Sequence, residues 1–403
     1  MQTQAAKIAV IGLDSADKDV VRQFVAAGEM PNMAALLENS VVGETRNPYG
    51  MESGSVWPTF HTGVDPSRHG QHEAVRLFDP STYQYRFIDK ETADARNFWN
   101  HLTEQGKRCL LIDIPYAPPP DKLNGKAIWD WGTHIDCYGA TEIQLKTYPA
   151  DLAQEVLDKF GGDPLNGQIC DNLRPKCAHD YATFRDGLLK RIEKRLEIAE
   201  HYLAQDDWDY FEMVYSEPHC IGHHCWHLHD PGHPDYNPEM NAVIGSPILD
   251  VYKAIDAHLG RIREAIGPDA IMMVYCSHGM GVDFSGTHLL DRMLTVLDGK
   301  RVISHRHPAV EVARQAWRKL PQSVRAGLKP MQRKAWNAMY ADGFQPGKEK
   351  RRFFEVYNNH RSGGVRINLE GREAKGIVPP DQYKAVMDEL ESELMKFVND
   401  ETG

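Results

Sequence analysis

The sequence lacks the features of nucleic-acid-binding, membrane-spanning and disulfide-linked proteins. Its 46 lysines and arginines are outnumbered by 57 aspartates and glutamates. The net charge of −11 argues against general nucleic-acid binding, which requires a basic surface. No run of about 18 consecutive apolar residues occurs, so we expect no transmembrane helix. The seven cysteines form no framework spacing, which favours reduced thiols over disulfides.

The first residues also lack a secretory signal. The apolar run after Lys7 passes directly into Gly12 and Asp14, without an extended apolar region and a small-residue cleavage site. We therefore expect a cytoplasmic protein with neither a membrane nor a nucleic-acid polymer as partner. The sequence does not predict an oligomeric state.

The composition is that of a globular protein with a sizeable core. Of the 403 residues, 41% are hydrophobic and 26% are charged. This length predicts a single large domain over residues 1–403, with cap or insertion segments at about 116–178 and 295–355.

The pattern of apolar residues predicts an α/β fold. Apolar runs rich in β-branched residues at 7–13, 108–114, 210–215 and 271–275 each lead into a polar turn and indicate buried strands. Between them, apolar residues recur at three- and four-residue steps, most clearly over 179–205, which predicts a helix. This alternation is typical of a largely parallel sheet with helices on both faces.

Polar residues follow the predicted strands at Asp14, Glu217, Ser277 and His278. Ligands of open α/β sheets bind beyond the carboxyl ends of the strands, so these residues are candidates for one site. The sequence also contains 19 histidines, six of them between positions 219 and 233. Histidine is the commonest metal-binding side chain, although a solvated polar loop is an equal alternative for any single one of the six.

A further segment carries a candidate nucleophile. From Met51 it reads MESGSVWPTFHTGVDPSRHG, with Ser53 nine positions before Thr62. It resembles the nucleophile segment of the alkaline phosphatase superfamily, in its type I phosphodiesterase/nucleotide pyrophosphatase branch. The resemblance implies that Ser53 is the nucleophile, with Ser55 as the second candidate.

Other segments match the same family in the same order. They include IGLDSAD, MPNMAALL, SEPHCIGHHCWHLHDPGHP, CSHGMG, GTHLLDRML and VRINLEGREAKGIV, and the matches span roughly residues 7 to 380. The resemblance implies an alkaline phosphatase-like fold and divalent metal ions, with Zn²⁺ as the first choice. Such metals neutralise the negative charge of a phosphoryl or sulfuryl group and lower the pKa of an attacking hydroxyl.

Residue by residue, the resemblance implies that Asp14, Ser53, His223 and His278 bind metal. Two positions depart from the family pattern, because His219 and Ser277 stand where the family has aspartate. His219 can still bind metal together with His223, four residues later on one helical turn. A serine is a poor, neutral ligand, so we expect one tight metal site and at most a weaker second one.

The late histidine ligand of the family has two candidates here. His360 in VYNNHRSGG and His288 in GTHLL both lie near the expected position. Four further histidines, at positions 224, 227, 229 and 233, are interpreted as members of a polar loop. Cys220 and Cys225 are less favoured ligands, because their spacing is not that of a zinc ribbon.

The sequence thus predicts a metal-dependent hydrolase of small phosphoric esters that forms a covalent phosphoseryl intermediate. One alternative is a sulfuryl or phosphoryl transferase or a sulfatase on the same scaffold, acting on small phosphate or sulfate esters. The residues after Ser53 do not form the Cys/Ser-x-Pro-x-Arg segment of typical sulfatases. Another alternative is a non-catalytic descendant that binds metal, which the histidine and serine replacements make credible.

Overall fold

The computed structural model describes residues 7–51, 53–71, 76–87, 95–117, 120–132, 145–165, 173, 175–282, 286, 289–300, 347–358 and 362–399. The chain divides into two compact units. Unit 1 comprises residues 1–71 and 89–282, and unit 2 comprises residues 72–88 and 283–403.

Unit 1 is built on a six-stranded sheet. With strands numbered along the chain, its members are β1 (Ile8–Leu13), β4 (Cys109–Ile112), β5 (Gly125–Trp129), β6 (Lys146–Tyr148), β7 (Tyr210–Tyr215) and β8 (Ile271–Cys276). Their order in the sheet is β6-β5-β4-β7-β1-β8. All neighbouring strands are parallel except β5 and β6, which are antiparallel. The four strands predicted from apolar runs are β1, β4, β7 and β8, and they lie side by side.

Helices connect these strands. They are α1 (Lys18–Ala26), α2 (Pro31–Glu38), α3 (Ser53–Thr62), α4 (Pro66–His69), α5 (Phe98–Glu104), α6 (Leu152–Phe160), α7 (Ala178–Leu203), α8 (Glu217–His229), α9 (Pro238–Ile244) and α10 (Pro247–Ile266). The helix predicted over 179–205 is α7. Its apolar positions at three- and four-residue steps are buried, which explains why this amphipathic sequence forms a helix on the sheet.

Alternate residues of the strands point to opposite faces of the sheet. On β7, Phe211, Met213 and Tyr215 join the main hydrophobic core, which includes residues of α1, α2, α7, α8 and α10. The intervening residue Glu212 contacts His61 of α3 on the other face. Both faces are therefore covered by helices, and the predicted α/β class with a largely parallel sheet is confirmed.

Unit 2 contains two antiparallel hairpins and two helices among its described residues. They are β2 (Arg76–Asp79) with β3 (Gln84–Phe87), β9 (Phe353–Val356) with β10 (Gly364–Ile367), α11 (Leu290–Leu297) and α12 (Tyr383–Leu394). A small core formed by these helices and the second hairpin holds this unit together. It consists of Leu294, Phe353, Ile367, Val378, Val386 and Leu390.

The cap or insertion segments at about 116–178 and 295–355 stay a prediction, because large parts of both lie outside the described residues. Within the described parts of the chain, no helix has the length and apolar character needed to cross a bilayer.

Candidate active site at the carboxyl edge of the sheet

Three neighbouring strands end at the same edge of the sheet in unit 1. Leu13 of β1 is level with Tyr215 of β7 and with Cys276 of β8. The residues that follow these strand ends, Asp14 and Ser277 among them, are therefore brought together.

The Asp14 carboxylate is almost completely buried and has defined partners. Its Oδ1 atom accepts hydrogen bonds from Trp57 Nε1 at 2.9 Å and from the Ser277 hydroxyl at 3.0 Å. Its Oδ2 atom lies 3.3 Å from His219 Nδ1. Oδ1 is thus held by two donors, whereas Oδ2 faces an imidazole.

Trp57 reaches Asp14 because the strand leaves room for its ring. A Cβ atom at Gly12 would lie 2.6 Å from Trp57 Cη2, so the indole packs where β1 has no side chain. The His61 ring stacks on Trp57 with ring centroids 5.7 Å apart, and His61 Nε2 lies 3.3 Å from Glu212 Oε1. Packing from α3 and β7 thereby fixes the indole that donates to Asp14.

Two histidines of α8 lie next to each other, as their four-residue spacing predicts. The His219 and His223 rings have centroids 4.5 Å apart. His219 is mostly buried and faces Asp14, whereas His223, one turn later, is exposed. The first turn of α8 therefore presents an imidazole to the Asp14 carboxylate.

His278 approaches the same point from the end of β8. Its Nδ1 atom lies 3.0 Å from the carbonyl oxygen of Gly279. A carbonyl only accepts, so Nδ1 of a neutral His278 carries the hydrogen and Nε2 carries the lone pair. A backbone carbonyl on the second ring nitrogen is also the usual arrangement of a metal-binding histidine.

Ser277 stands where the family pattern has aspartate. Its hydroxyl donates to Asp14 Oδ1 at 3.0 Å and accepts from the backbone N–H of Ser15 at 3.2 Å. It therefore links two consecutive residues at the end of β1.

Ser15 is a residue that the sequence reasoning missed. Its hydroxyl oxygen lies 3.0 Å from His219 Nδ1 and 3.3 Å from His278 Nε2. The only signal in the sequence was its position directly after Asp14 at a predicted strand end.

The two candidate nucleophiles lie at the start of α3. Ser53 is the first residue of this helix, four positions before Trp57. The backbone of residue 53 is therefore ~6 Å along the helix axis from the backbone of Trp57. Ser55 is fully buried, and its hydroxyl donates to the carbonyl oxygen of Met51.

A buried ion-pair network holds the beginning of α8. Nη1 of Arg195 on α7 donates to both carboxylate oxygens of Glu217 at 2.6 Å. The Arg195 guanidinium also pairs with Asp113, whose carboxylate accepts from the backbone N–H groups of Trp131 and Gly132. Burial lowers the pKa of Arg195, but the carboxylates of Glu217 and Asp113 together raise it by a larger amount. The pKa therefore lies above its usual value, and the guanidinium stays charged. Glu217 therefore holds the helix that carries His219.

Three of the four remaining histidines of this segment do not lie in a polar loop, which corrects that interpretation for them. His224, His227 and His229 belong to α8, and His233 lies in the turn that follows it. The His229 ring meets the Phe24 ring edge-on at 5.6 Å, and burial lowers the pKa of both His227 and His229.

Cys220 and Cys225 are part of the hydrophobic core. Burial raises the pKa of the Cys225 thiol to about 12, so it remains protonated. The two remaining ligand candidates, His288 and His360, lie outside the described residues.

The predicted ligands Asp14, His219 and His278 are of the residue types that bind Zn²⁺. Within the described ranges, no group of three or more His, Cys, Asp or Glu forms a ready-made metal cluster. Asp14 Oδ2 lies 3.3 Å from His219 Nδ1, and the Ser15 hydroxyl oxygen lies 3.0 Å from His219 Nδ1 and 3.3 Å from His278 Nε2. Donors at 2.0–2.2 Å from a four-coordinate Zn²⁺ would lie roughly 3.3–3.6 Å apart, and of the three predicted ligands Asp14 Oδ2 and His219 Nδ1 have this separation.

Comparison with known proteins points to one family. A family model described as type I phosphodiesterase / nucleotide pyrophosphatase matches residues 8–403. No curated protein matches the chain.

Several solved structures are similar to the chain at low identity. Phosphonoacetate hydrolase from Sinorhizobium meliloti 1021, in complex with phosphonoformate, is 14% identical with a TM-score of 0.46. The match covers 74% of this chain and 64% of that chain. The same enzyme with phosphonoacetate is 15% identical with a TM-score of 0.45, again covering 74% and 64%. The proposed sulfatase yidJ from Bacteroides fragilis is 14% identical with a TM-score of 0.32, covering 69% of this chain and 63% of that chain.

Proposed function

Because the chain belongs to the type I phosphodiesterase / nucleotide pyrophosphatase family, we propose that it is a metal-dependent phosphodiesterase that forms a phosphoseryl intermediate on Ser53. Hydrolysis of phosphoric esters is the activity typical of this family. The substrate we propose is a small phosphoric ester, and the metal we propose is Zn²⁺.

The observation that carries the proposal is the convergence of Asp14, His219 and His278 at one edge of the sheet. One carboxylate and two imidazoles come from three different strand ends, and a packed core would favour apolar residues at such positions. This donor set suits Zn²⁺, and His223 is a further imidazole beside His219.

In the proposed reaction, the Ser53 hydroxyl attacks phosphorus in line with the leaving group. A bond forms between Ser53 Oγ and phosphorus, and the bond to the leaving oxygen breaks. The serine proton passes to solvent, and the leaving oxygen takes up a proton from solvent to leave as an alcohol. Water then attacks the phosphoserine, which releases phosphate or a phosphomonoester and restores the hydroxyl. When bound, the metal would neutralise charge on the phosphoryl oxygens and lower the pKa of an attacking hydroxyl.

The remaining residues of the site act by positioning. Trp57 and Ser277 orient the Asp14 carboxylate so that Oδ2 faces His219. The Gly279 carbonyl orients the imidazole of His278. These contacts fix the direction of the donor atoms before any ligand binds, which lowers the reorganisation that binding requires.

We propose one tight metal site. Ser277 brings no charge where the family has a carboxylate, and its hydroxyl is already bonded to Asp14. His288 or His360 would be the late histidine ligand of the family pattern. We likewise propose a cytoplasmic location.

The experiment is turnover by protein stripped with a chelator and then reloaded with Zn²⁺. The substrates are bis(p-nitrophenyl) phosphate, p-nitrophenyl phosphate and p-nitrophenyl sulfate, and elemental analysis gives the bound metal. We expect hydrolysis of the phosphodiester, its loss on stripping and its return with zinc. Exclusive turnover of the sulfate ester would favour the sulfatase alternative. Tight metal binding without turnover of any ester would favour the non-catalytic alternative.

A further inference from the structure

A carboxylate is buried in the sheet at a position where an apolar residue is expected. Glu212 is the third residue of β7, is fully buried and points to the face of the sheet that α3 covers. Burial of a carboxylate costs stability unless the group is paired and hydrogen-bonded. The proposed reaction assigns no role to this glutamate.

Two side chains hold the Glu212 carboxylate. His61 Nε2 lies 3.3 Å from its Oε1 atom, and the Tyr210 hydroxyl donates to its Oε2 atom at 2.8 Å. An ionised carboxylate only accepts, so His61 Nε2 carries a hydrogen. Burial and the charge of Glu212 raise the pKa of Tyr210 well above its usual value, so the phenol remains a donor. The carboxylate therefore sets the direction of the His61 imidazole.

The His61 ring is in stacking contact with Trp57, one helical turn earlier on α3. The two ring centroids are 5.7 Å apart and the two planes differ by 21°. The indole also packs against β1 at Gly12, and its Nε1–H group donates to Asp14 Oδ1 at 2.9 Å. Stacked flat rings keep their planes nearly parallel, so the plane of the imidazole limits the plane of the indole.

The first turn of α3 depends on these side-chain contacts, because a proline interrupts its backbone hydrogen bonds. Pro58 lies inside α3 and has no N–H group to donate to the carbonyl oxygen of Gly54. Positions 53, 57 and 61 are four residues apart, so they lie along one side of the helix. The contacts of His61 and Trp57 therefore hold the side of α3 that begins at position 53.

We propose that Glu212 and His61 are positioning residues of the candidate active site. Their buried hydrogen bond sets the plane of Trp57, and through it the direction of the Asp14 carboxylate and the placement of α3. The effect on turnover rests on the proposed hydrolase function, whereas the effect on Trp57 does not. This role accounts for a buried pair at a place where two apolar residues are often as stable.

The central experiment replaces both members of the pair by leucine. Removal of one partner of a buried pair is destabilising, whereas replacement of both is often neutral or stabilising. His61→Leu/Glu212→Leu should therefore resist urea as well as the unmodified protein. Its kcat for bis(p-nitrophenyl) phosphate should still fall roughly 100-fold with little change in KM, as expected for a displacement of about 1 Å at the reacting groups. Full kcat in a stable double variant would show that the pair is only structural and would overturn the inference.

Three single substitutions complete the kinetic test. Glu212→Gln keeps an oxygen that accepts from His61 and should retain most of the kcat. Tyr210→Phe removes the other hydrogen bond of the carboxylate and should lower stability but not kcat. If the double variant does not fold, His61→Gln decides, because its amide can still donate to Glu212 but presents no ring to Trp57. Unchanged kcat in His61→Gln, or an equal loss of kcat in Tyr210→Phe, overturns the inference.

The exchange rate of the Trp57 indole N–H with water is a readout that requires no turnover. In protein with ¹⁵N-labelled tryptophan, Trp57→Phe identifies the signal. The rate should rise roughly tenfold or more in the double variant, as for loss of a hydrogen bond to a charged group, and stay unchanged in Tyr210→Phe. An unchanged rate in the double variant overturns the inference and leaves the hydrolase proposal standing. A raised rate in a protein that hydrolyses no ester supports the inference and overturns the hydrolase proposal.

Discussion

The hydrogen bond from Trp57 to Asp14 can be removed with little other change. Trp57→Phe keeps an aromatic ring between β1 and His61 but deletes the Nε1–H group that donates to Asp14 Oδ1 at 2.9 Å. A hydrogen bond to a charged group contributes about 1.5–3 kcal/mol. About 1.4 kcal/mol corresponds to a factor of ten in an equilibrium constant. Loss of this hydrogen bond therefore lowers the equilibrium constant for the oriented carboxylate roughly 10- to 100-fold.

Trp99→Phe is a matched control for this substitution. Trp99 is fully buried in the same aromatic cluster, with its ring centroid 5.1 Å from that of His61. Among the described residues, its Nε1 atom has no hydrogen-bond partner. Trp99→Phe therefore loses a similar volume but no hydrogen bond, so the difference between the two variants isolates the bond to Asp14.

The assay is Zn²⁺ affinity by chelator competition, with urea unfolding of the metal-free proteins alongside. Trp57→Phe should bind Zn²⁺ roughly 10- to 100-fold more weakly than the unmodified protein, the range found for removal of partners behind metal ligands. Trp99→Phe should keep the affinity and lose only stability. Equal Zn²⁺ affinities in the two variants would refute the role of Trp57 in orienting Asp14.

Three further predictions concern the metal site and its surroundings. His219→Ala should release the metal and His219→Asp should retain part of it, in equilibrium dialysis; full occupancy in His219→Ala would place the ligand elsewhere on α8. Ser277→Asp should increase the amount of metal retained. It should also lower the unfolding free energy of the metal-free protein by roughly 1–3 kcal/mol, because it adds a second carboxylate beside Asp14 and removes a hydrogen bond. An unchanged metal stoichiometry would contradict this prediction. Burial lowers the pKa of His258, so its stabilising contribution should be present above pH about 6.5 and be lost as pH falls through the folded-state pKa. His258→Gln should flatten this dependence in urea titrations, and equal slopes would be inconsistent with it.

The sequence predicted the central fold well, because the signals concerned are local. The strands β1, β7 and β8 are mainly apolar runs ending in polar turns, a pattern typical of parallel strands. β1 and β7 are buried, whereas β8, the last strand in the sheet order, is partly exposed. Because parallel strands end at one edge, the meeting of Asp14 and His278 near that edge also followed from the sequence.

The segment that begins at Glu217 shows where such signals fail. Its many histidines indicate a polar loop over part of the segment. The segment instead forms α8, with a proline in the first turn. The residues Ile221, Cys225 and Leu228 are all buried, at the four- and seven-residue steps of an amphipathic helix. The middle residue of these three is Cys225, which has histidines nearby in the sequence, so the apolar periodicity is difficult to recognise.

The contacts around Asp14 could not have been predicted from local patterns. The donor Trp57 is 43 positions away along the chain, and Ser277 is 263 positions away. The left-handed backbone of Ser15 and the room for the indole beside Gly12 are likewise consequences of the folded packing. The residue types were visible in the sequence, but which atoms meet depends on tertiary structure.

The most direct test of the proposed function is the identification of the covalent intermediate. A reaction of the zinc-loaded protein with an aryl phosphodiester, quenched with acid within one turnover, is digested and analysed by mass spectrometry. We predict an aryl phosphoryl adduct on Ser53 that Ser53→Ala abolishes and Ser55→Ala retains. An adduct on Ser55, or product release in the first turnover with no adduct on any serine at any quench time, would contradict the proposal.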